Sequence, residues 1–175
     1  LRKADVLVEN YVPGTLEKMG FDWETLHSIN PRLIVTRISG FGQTGPLSRK
    51  PCFDVIAQTM SGLMDITGEP SGRPNMAGTY VVDYSTGLYA TIGTLGALQA
   101  RQRNGIGQVV DVALLDSALS MLMTAIPEQI LLGRTMGRHG NRDRYGSPAN
   151  TFPTGDGAWV HLATAGDPVF RALTE

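Results

Sequence analysis

Leu33-Ile34-Val35-Thr36-Arg37-Ile38-Ser39 is β-branched and apolar through most of its length. Aliphatic side chains fall on both parities of this run, not on alternate residues only. That pattern marks a strand covered on both faces, as in a parallel sheet between layers of helix. Upstream, residues 5–9 read as a second short buried strand. Pro13-Gly14 then opens a helical stretch over 15–19, closed by Gly20. Asp22 is placed to cap a helix over 23–29, with Glu24 in its first turn, and Asn30-Pro31 stops it. Downstream, glycines and prolines make 40–51 a loop, and helical spacing returns over 54–64, where Val55, Ile56, Met60 and Leu63 can share a face. The longest helical candidate is 81–102, ended by Arg101, Arg103, Asn104 and Gly105. A third strand is expected over 108–113. Residues 114–126 are apolar nearly all round, which predicts a deeply packed helix. The alternation predicts an α/β fold with a parallel sheet and helical crossovers.

Residues 133–150 mix Gly, Arg, His and Asn without periodicity and read as a linker. Beyond them, Thr151-Phe152-Pro153, the turn Thr154-Gly155-Asp156-Gly157 and residues 158–163 read as a β-hairpin, followed by a helix from Asp167. The expected organisation is a first domain over 1–132, the linker, and the start of a smaller α+β domain over 151–175. The chain begins on Leu1 rather than Met and ends inside a helical stretch, so both ends read as cut from something longer.

Net charge is −1 over 175 residues, which argues against nucleic acid or an anionic membrane as the main partner. Cys52 is the only cysteine, so no disulfide framework is possible and a reducing, cytoplasmic setting is expected. The most apolar stretch, 118–126, is far short of the ~20 residues that span a bilayer. Glycine is frequent at 21 residues, against about 12 expected at the ordinary ~7%, which points to tight loops or close approach of backbone to a ligand.

Three places carry chemistry. Gly40-Phe41-Gly42-Gln43-Thr44-Gly45 is a literal G-x-G-x-x-G after a strand. A dinucleotide site needs that loop to open a helix, and Pro46 with Pro51 argues for a plain turn instead. Asp83, between Val81-Val82 and Tyr84-Ser85-Thr86-Gly87, lies at the start of the long helix. It reads as an N-cap, or as a carboxylate held in the positive field of the helix end with Gly87 leaving room for a ligand; the two are compatible. Asn10 and Tyr11 follow the first strand, where ligands of open α/β sheets bind, with Lys18 in the next helix. His27, His139 and His161 lack metal-like spacing, and no metal site is expected.

In order and spacing these segments resemble the class III CoA-transferase family, which includes formyl-CoA and carnitine CoA-transferases. The run starts at Ala4-Asp5-Val6-Leu7-Val8-Glu9-Asn10-Tyr11-Val12-Pro13-Gly14 and continues through 33–39 and Gly40 to Pro46. It extends through Phe53-Asp54-Val55-Ile56-Ala57-Gln58-Thr59-Met60-Ser61-Gly62, Asp83 with Gly87, and Gly105-Ile106-Gly107-Gln108-Val109-Val110-Asp111-Val112. The resemblance implies a Rossmann-like large domain, of which 1–132 is the later part, joined to a small domain, and two subunits that interlock like links of a chain. It implies no permanently bound cofactor, with CoA and acyl-CoA as substrates beside a small carboxylic acid. Asp83 matches the family's acyl-accepting nucleophile. Asn10, Tyr11, Lys18 and Met19 match CoA contacts, the first two near the pantetheine arm and Lys18 near phosphate. Gln58 is a further CoA contact on the same basis, and Arg49 or Lys50 supplies another phosphate contact. The related α-methylacyl-CoA racemases place a histidine before the aspartate of the Phe53-Asp54 motif. Phe53 cannot transfer a proton, which favours transfer over racemisation. A racemase or epimerase, and a non-catalytic nucleotide-binding domain, stand as alternatives.

Overall fold

The structure is a computed structural model that describes residues 1–164 and 166–175. Its first part alternates strand and helix: β1 (Val6–Glu9), α1 (Thr15–Lys18), α2 (Trp23–Ile29), β2 (Ile34–Ser39), α3 (Asp54–Ser61), α4 (Val81–Asn104) and β3 (Val109–Ala113). The three strands form a parallel sheet in the order β1-β2-β3, with Val6 opposite Ile34, Glu9 opposite Arg37 and Ser39 opposite Ala113. β2 is therefore central, as its two-sided apolar pattern requires. One of its faces packs Val35 with Leu33 of the preceding turn and Leu26 of α2, all at most 2% exposed. Burial of side chains of this size contributes about 2 kcal/mol each. The opposite face turns Ile38 into a cluster of Ala57, Val82, Leu114 and Ala118, drawn from the helices that follow.

Two features seat α4 on the sheet. Arg101, near its end, donates to the carbonyls of Asp5 and Arg32 and pairs with the Asp5 carboxylate at 2.8 Å, tying the helix to the entries of β1 and β2. Gly93 faces β3 so closely that an added Cβ would lie 2.6 Å from Val110 Cγ1. Asp22 caps α2 as its sequence suggests, accepting from the Thr25 N–H at 2.8 Å, a bond of the kind that contributes about 1 kcal/mol.

The packed helix expected over 114–126 is two helices, α5 (Leu114–Ser120) and α6 (Ala125–Leu132). In one continuous helix the Pro127 ring would meet the carbonyl of Met123. As the third residue of a new helix, its missing N–H removes nothing. Only α5 is deeply packed. α6 has no buried residue, and Ile130 and Leu131 are 75% and 78% exposed.

Residues 134–148 carry no helix or strand but dock through ion pairs from Arg138 to Asp65 and from Arg144 to Glu128. The hairpin is antiparallel, β4 (Ala149–Pro153) with β5 (Trp159–Ala163), and α7 (Asp167–Thr174) follows. Among the described residues no helix is long and apolar enough to cross a membrane.

Gly107 makes the tightest approach in the chain: a Cβ there would lie 1.9 Å from the Leu33 carbonyl oxygen, a backbone atom that cannot swing aside. Gly107→Ala is expected to destabilise the fold by about 3 kcal/mol, read as a lower denaturation midpoint. An unchanged midpoint would refute this account of the β2–β3 entry.

Candidate active site

The carboxyl ends of β1 and β2 open into a cavity of about 480 Å³. Its wall takes Asn10 to Pro13 from the β1–α1 loop, Ile38 and Ser39 from β2 with Gly40 just after it, Lys50 to Phe53 before α3, Asp83, Thr86 and Gly87 from α4, and Leu114 from α5. Parallel sheets place ligands at this end, because the loops leaving the strands and the N-termini of the following helices converge there.

The β1–α1 loop is held in shape by charge. Glu9, 5% exposed, accepts the Tyr11 N–H on one oxygen and the Arg37 Nε on the other, at 2.8 and 2.6 Å. Arg37 also pairs with Glu17 of α1 at 2.7 Å, and that guanidinium holds the Glu17 carboxyl below its ordinary range. Asn10 and Tyr11 consequently face the cavity on an anchored loop.

Asp83 is the third residue of α4, not its cap: Tyr80 occupies the cap position and makes no side-chain bond there. The capping is done from another helix. The buried carboxylate of Asp54, at the start of α3, accepts the N–H groups of Val82 (2.7 Å) and Asp83 (3.0 Å). Its other oxygen accepts a hydrogen bond from Gln58 Nε2, one turn along α3, and Gln58 Oε1 accepts the Ala77 N–H at 2.9 Å. With its backbone satisfied in this way, the Asp83 side chain is free to project into the cavity. Its carboxyl is pushed above the ordinary aspartate value, first by burial and then by the nearby negative charge of Asp54. Cys52 beside it is pushed up too, by burial and then by Asp83.

The structure thus brings Asp83, Asn10, Tyr11 and Lys50 together. Lys18 and Met19, at the exposed end of α1, and Arg49, in the loop, stand outside the cavity wall. Gln58 does not reach it either. Fully buried, with both ends of its amide taken, it holds the Asp54 carboxylate in place. After Gly45 the chain makes turns over 46–49 rather than a helix, so the loop lacks the N-terminus on which a dinucleotide phosphate would sit. Its conformation is fixed by Asp111, which accepts the Gln43 N–H at 2.9 Å. Sequence reading missed the capping role of Asp54. The one local signal is the Asp54/Gln58 spacing of four, which puts a carboxylate and an amide on one helix face.

Such a site, a helix-borne carboxylate facing a cavity at the carboxyl edge of a parallel sheet, defines an α/β ligand-binding domain with a candidate nucleophile. Residues 1–175 match the model of CoA-transferase family III, and the chain belongs to that family. It is 42% identical over 172 residues to a succinyl-CoA–D-citramalate CoA-transferase of Chloroflexus aurantiacus, a match covering 98% of this chain and 43% of that one. It is 42% identical over 176 residues to an acetyl-CoA:oxalate CoA-transferase of Acetobacter aceti, covering 100% and 45%. The crystal structure of a CAIB/BAIF family protein from Brucella suis superposes with a TM-score of 0.90 at 38% identity, covering 99% of this chain and 46% of that chain. The chain spans less than half the length of the relatives it matches.

Two substitutions test the electrostatics. In Asp54→Asn the introduced amide and the Gln58 amide cannot both be satisfied. Whichever way the two are flipped, one buried pair of N–H donors must face each other. The expected loss is about 2 kcal/mol of stability, measured by denaturant unfolding; no loss would sink the capping account. For Asp83 the folded-state pKa is raised, so its ionised form opposes folding. That opposition is complete above the folded pKa and vanishes once the pH falls below the unfolded value. Asp83→Asn should therefore melt higher than the parent at neutral pH, with the gap closing on acidification through the carboxylate range. A gap that widens on acidification would contradict the raised pKa.

Proposed function

We propose that the protein carrying this chain is a CoA-transferase that moves CoA from an acyl-CoA to an acceptor carboxylic acid, with Asp83 as the covalent nucleophile. The observation that carries the reading is the Asp83 carboxylate, freed from capping by Asp54 and aimed into the cavity that Asn10, Tyr11 and Lys50 share. Asp83 attacks the thioester carbonyl carbon, the C–S bond breaks, and CoA leaves as thiolate, giving an acyl–aspartyl anhydride. The thiolate then attacks the aspartyl carbonyl, releasing the donor acid and leaving Asp83 as its CoA thioester. An acceptor carboxylate collects the CoA through the same steps reversed, and Asp83 is regenerated. Two half-transfers replace one difficult exchange. The raised pKa of Asp83 suits this work, since a more basic carboxylate is a better nucleophile once ionised.

Phe53 lies on the cavity wall at 74% exposure, and its phenyl ring can neither take nor give a proton. This supports transfer over α-proton racemisation at the same site. Asn10 and Tyr11 are assigned to the pantetheine arm. Lys50, with Lys18, Met19 and Arg49 further out, is assigned to the phosphate end. Residues 1–132 are assigned to the large domain, 133–150 to the linker and 151–175 to the start of the small domain. The interlocked pair of subunits, the cytoplasmic setting and the small carboxylic acid as partner belong to the same proposal. The uncovered apolar side chains of α6 support a protein surface lying over it.

The test is the mass of the full chain and its peptides after incubation with succinyl-CoA and other acyl-CoAs, beside Asp83→Asn. An acyl or CoA adduct on the Asp83 peptide, absent from the variant, is expected. Exchange of the substrate α-proton with deuterated water and no adduct would overturn the reading in favour of a racemase.

A further inference from the structure

We infer that the Ser39 hydroxyl is a ligand contact, donating a hydrogen bond to an amide carbonyl of the pantetheine arm of bound CoA. The inference rests on the transferase reading above. Ser39 ends β2, is 7% exposed and lines the cavity, yet its Oγ has no partner among the described residues. A buried hydroxyl without a partner is unfavourable, and such groups in a folded protein call for an explanation. A ligand acceptor arriving in the cavity supplies one.

The parity of β2 says which part of the ligand it meets. Thr36 and Ile38 face α4 and the α3–α5 cluster, with Thr36 hydrogen-bonded to Thr94. Val35 and Arg37 face the other way, and Arg37 holds Glu9 and Glu17. Ser39 shares that second face. It therefore lies on the side of the β1–α1 loop, with Asn10 and Tyr11, whereas Asp83 approaches from α4. A ligand whose thioester reaches Asp83 passes Ser39 with its arm, not with its reacting carbon. The pantetheine arm carries two amides, and each carbonyl that leaves water needs a donor. The other buried hydroxyl in the wall, on Thr86, already donates to the Val82 carbonyl at 2.7 Å, leaving Ser39 as the buried side-chain hydroxyl that is free to donate.

The test is CoA titration calorimetry on the full chain and on Ser39→Ala and Ser39→Thr, with melting temperatures of the ligand-free proteins and Asp83 adduct yield at saturating acyl-CoA. Ser39→Ala should bind CoA about tenfold more weakly, melt no lower than the parent, and still form the adduct once saturated. Ser39→Thr, which keeps the hydroxyl, should bind within about threefold of the parent. Unchanged affinity in Ser39→Ala overturns the inference, as does weaker binding accompanied by a lower melting temperature that Ser39→Thr does not rescue. If the parent forms the Asp83 adduct while either of these holds, this inference alone falls. If the parent neither binds CoA nor forms the adduct, the transferase reading falls with it.

Discussion

One carboxylate joins the two helices on which the site is built. Asp54 starts α3, is buried, and accepts the first free N–H groups of α4. A helix begins with donors that no intrahelical carbonyl can satisfy, and in most helices a nearby serine, threonine or aspartate meets them. Here the acceptor comes from another helix. Capping and tertiary packing are consequently one interaction, and the start of α4 cannot shift without uncovering the Asp54 charge. Gln58 removes the remaining freedom. Its amide gives a donor to Asp54 and an acceptor to Ala77, which fixes which way round the amide sits.

That arrangement leaves α4 with a side chain to spare. An aspartate that caps its own helix turns its carboxylate onto the backbone N–H groups, and a carboxylate so engaged is a weak nucleophile. Asp83 is relieved of this duty and stands in the cavity wall opposite the β1–α1 loop, which the Glu9–Arg37–Glu17 charges hold in place. Both walls are tied by hydrogen bonds and ion pairs that need no ligand, which favours a fixed geometry for a reacting group. The sheet supplies the spacing between them, since β2 lies in its centre and ends at the cavity floor.

The strands and the ends of α2 and α4 were legible because their signals are local: a two-sided apolar run, an aspartate before a helical period, a glycine after one. The helix over 114–126 was misjudged for a local reason too. Its apolar content was weighed and the proline just beyond it was not, yet Pro127 decides where one helix ends and the next begins. The relay at Asp54 was hidden for a different reason. Its partners lie 28 and 29 residues away, and no pattern short of the fold brings them together. Asp83 was found as a candidate, but an aspartate near a helix start looks the same whether or not it is the cap. Gln58 shows the converse limit. A position singled out by its neighbours in the sequence turned out to face inward, because its place on α3 was fixed by Asp54 one turn before it.

The raised pKa of Asp83 has a meaning beyond proton binding. The burial and the Asp54 charge that favour a proton on this carboxyl act on its negative charge, whatever group removes it. An acyl group bonded to the same oxygen neutralises that charge as completely as a proton does. On the transferase reading proposed above, the free carboxylate would be the electrostatically disfavoured state, and each covalent stage on Asp83 a relaxed one. A transferase so built would offer an acylated Asp83 the environment that its free carboxylate is denied.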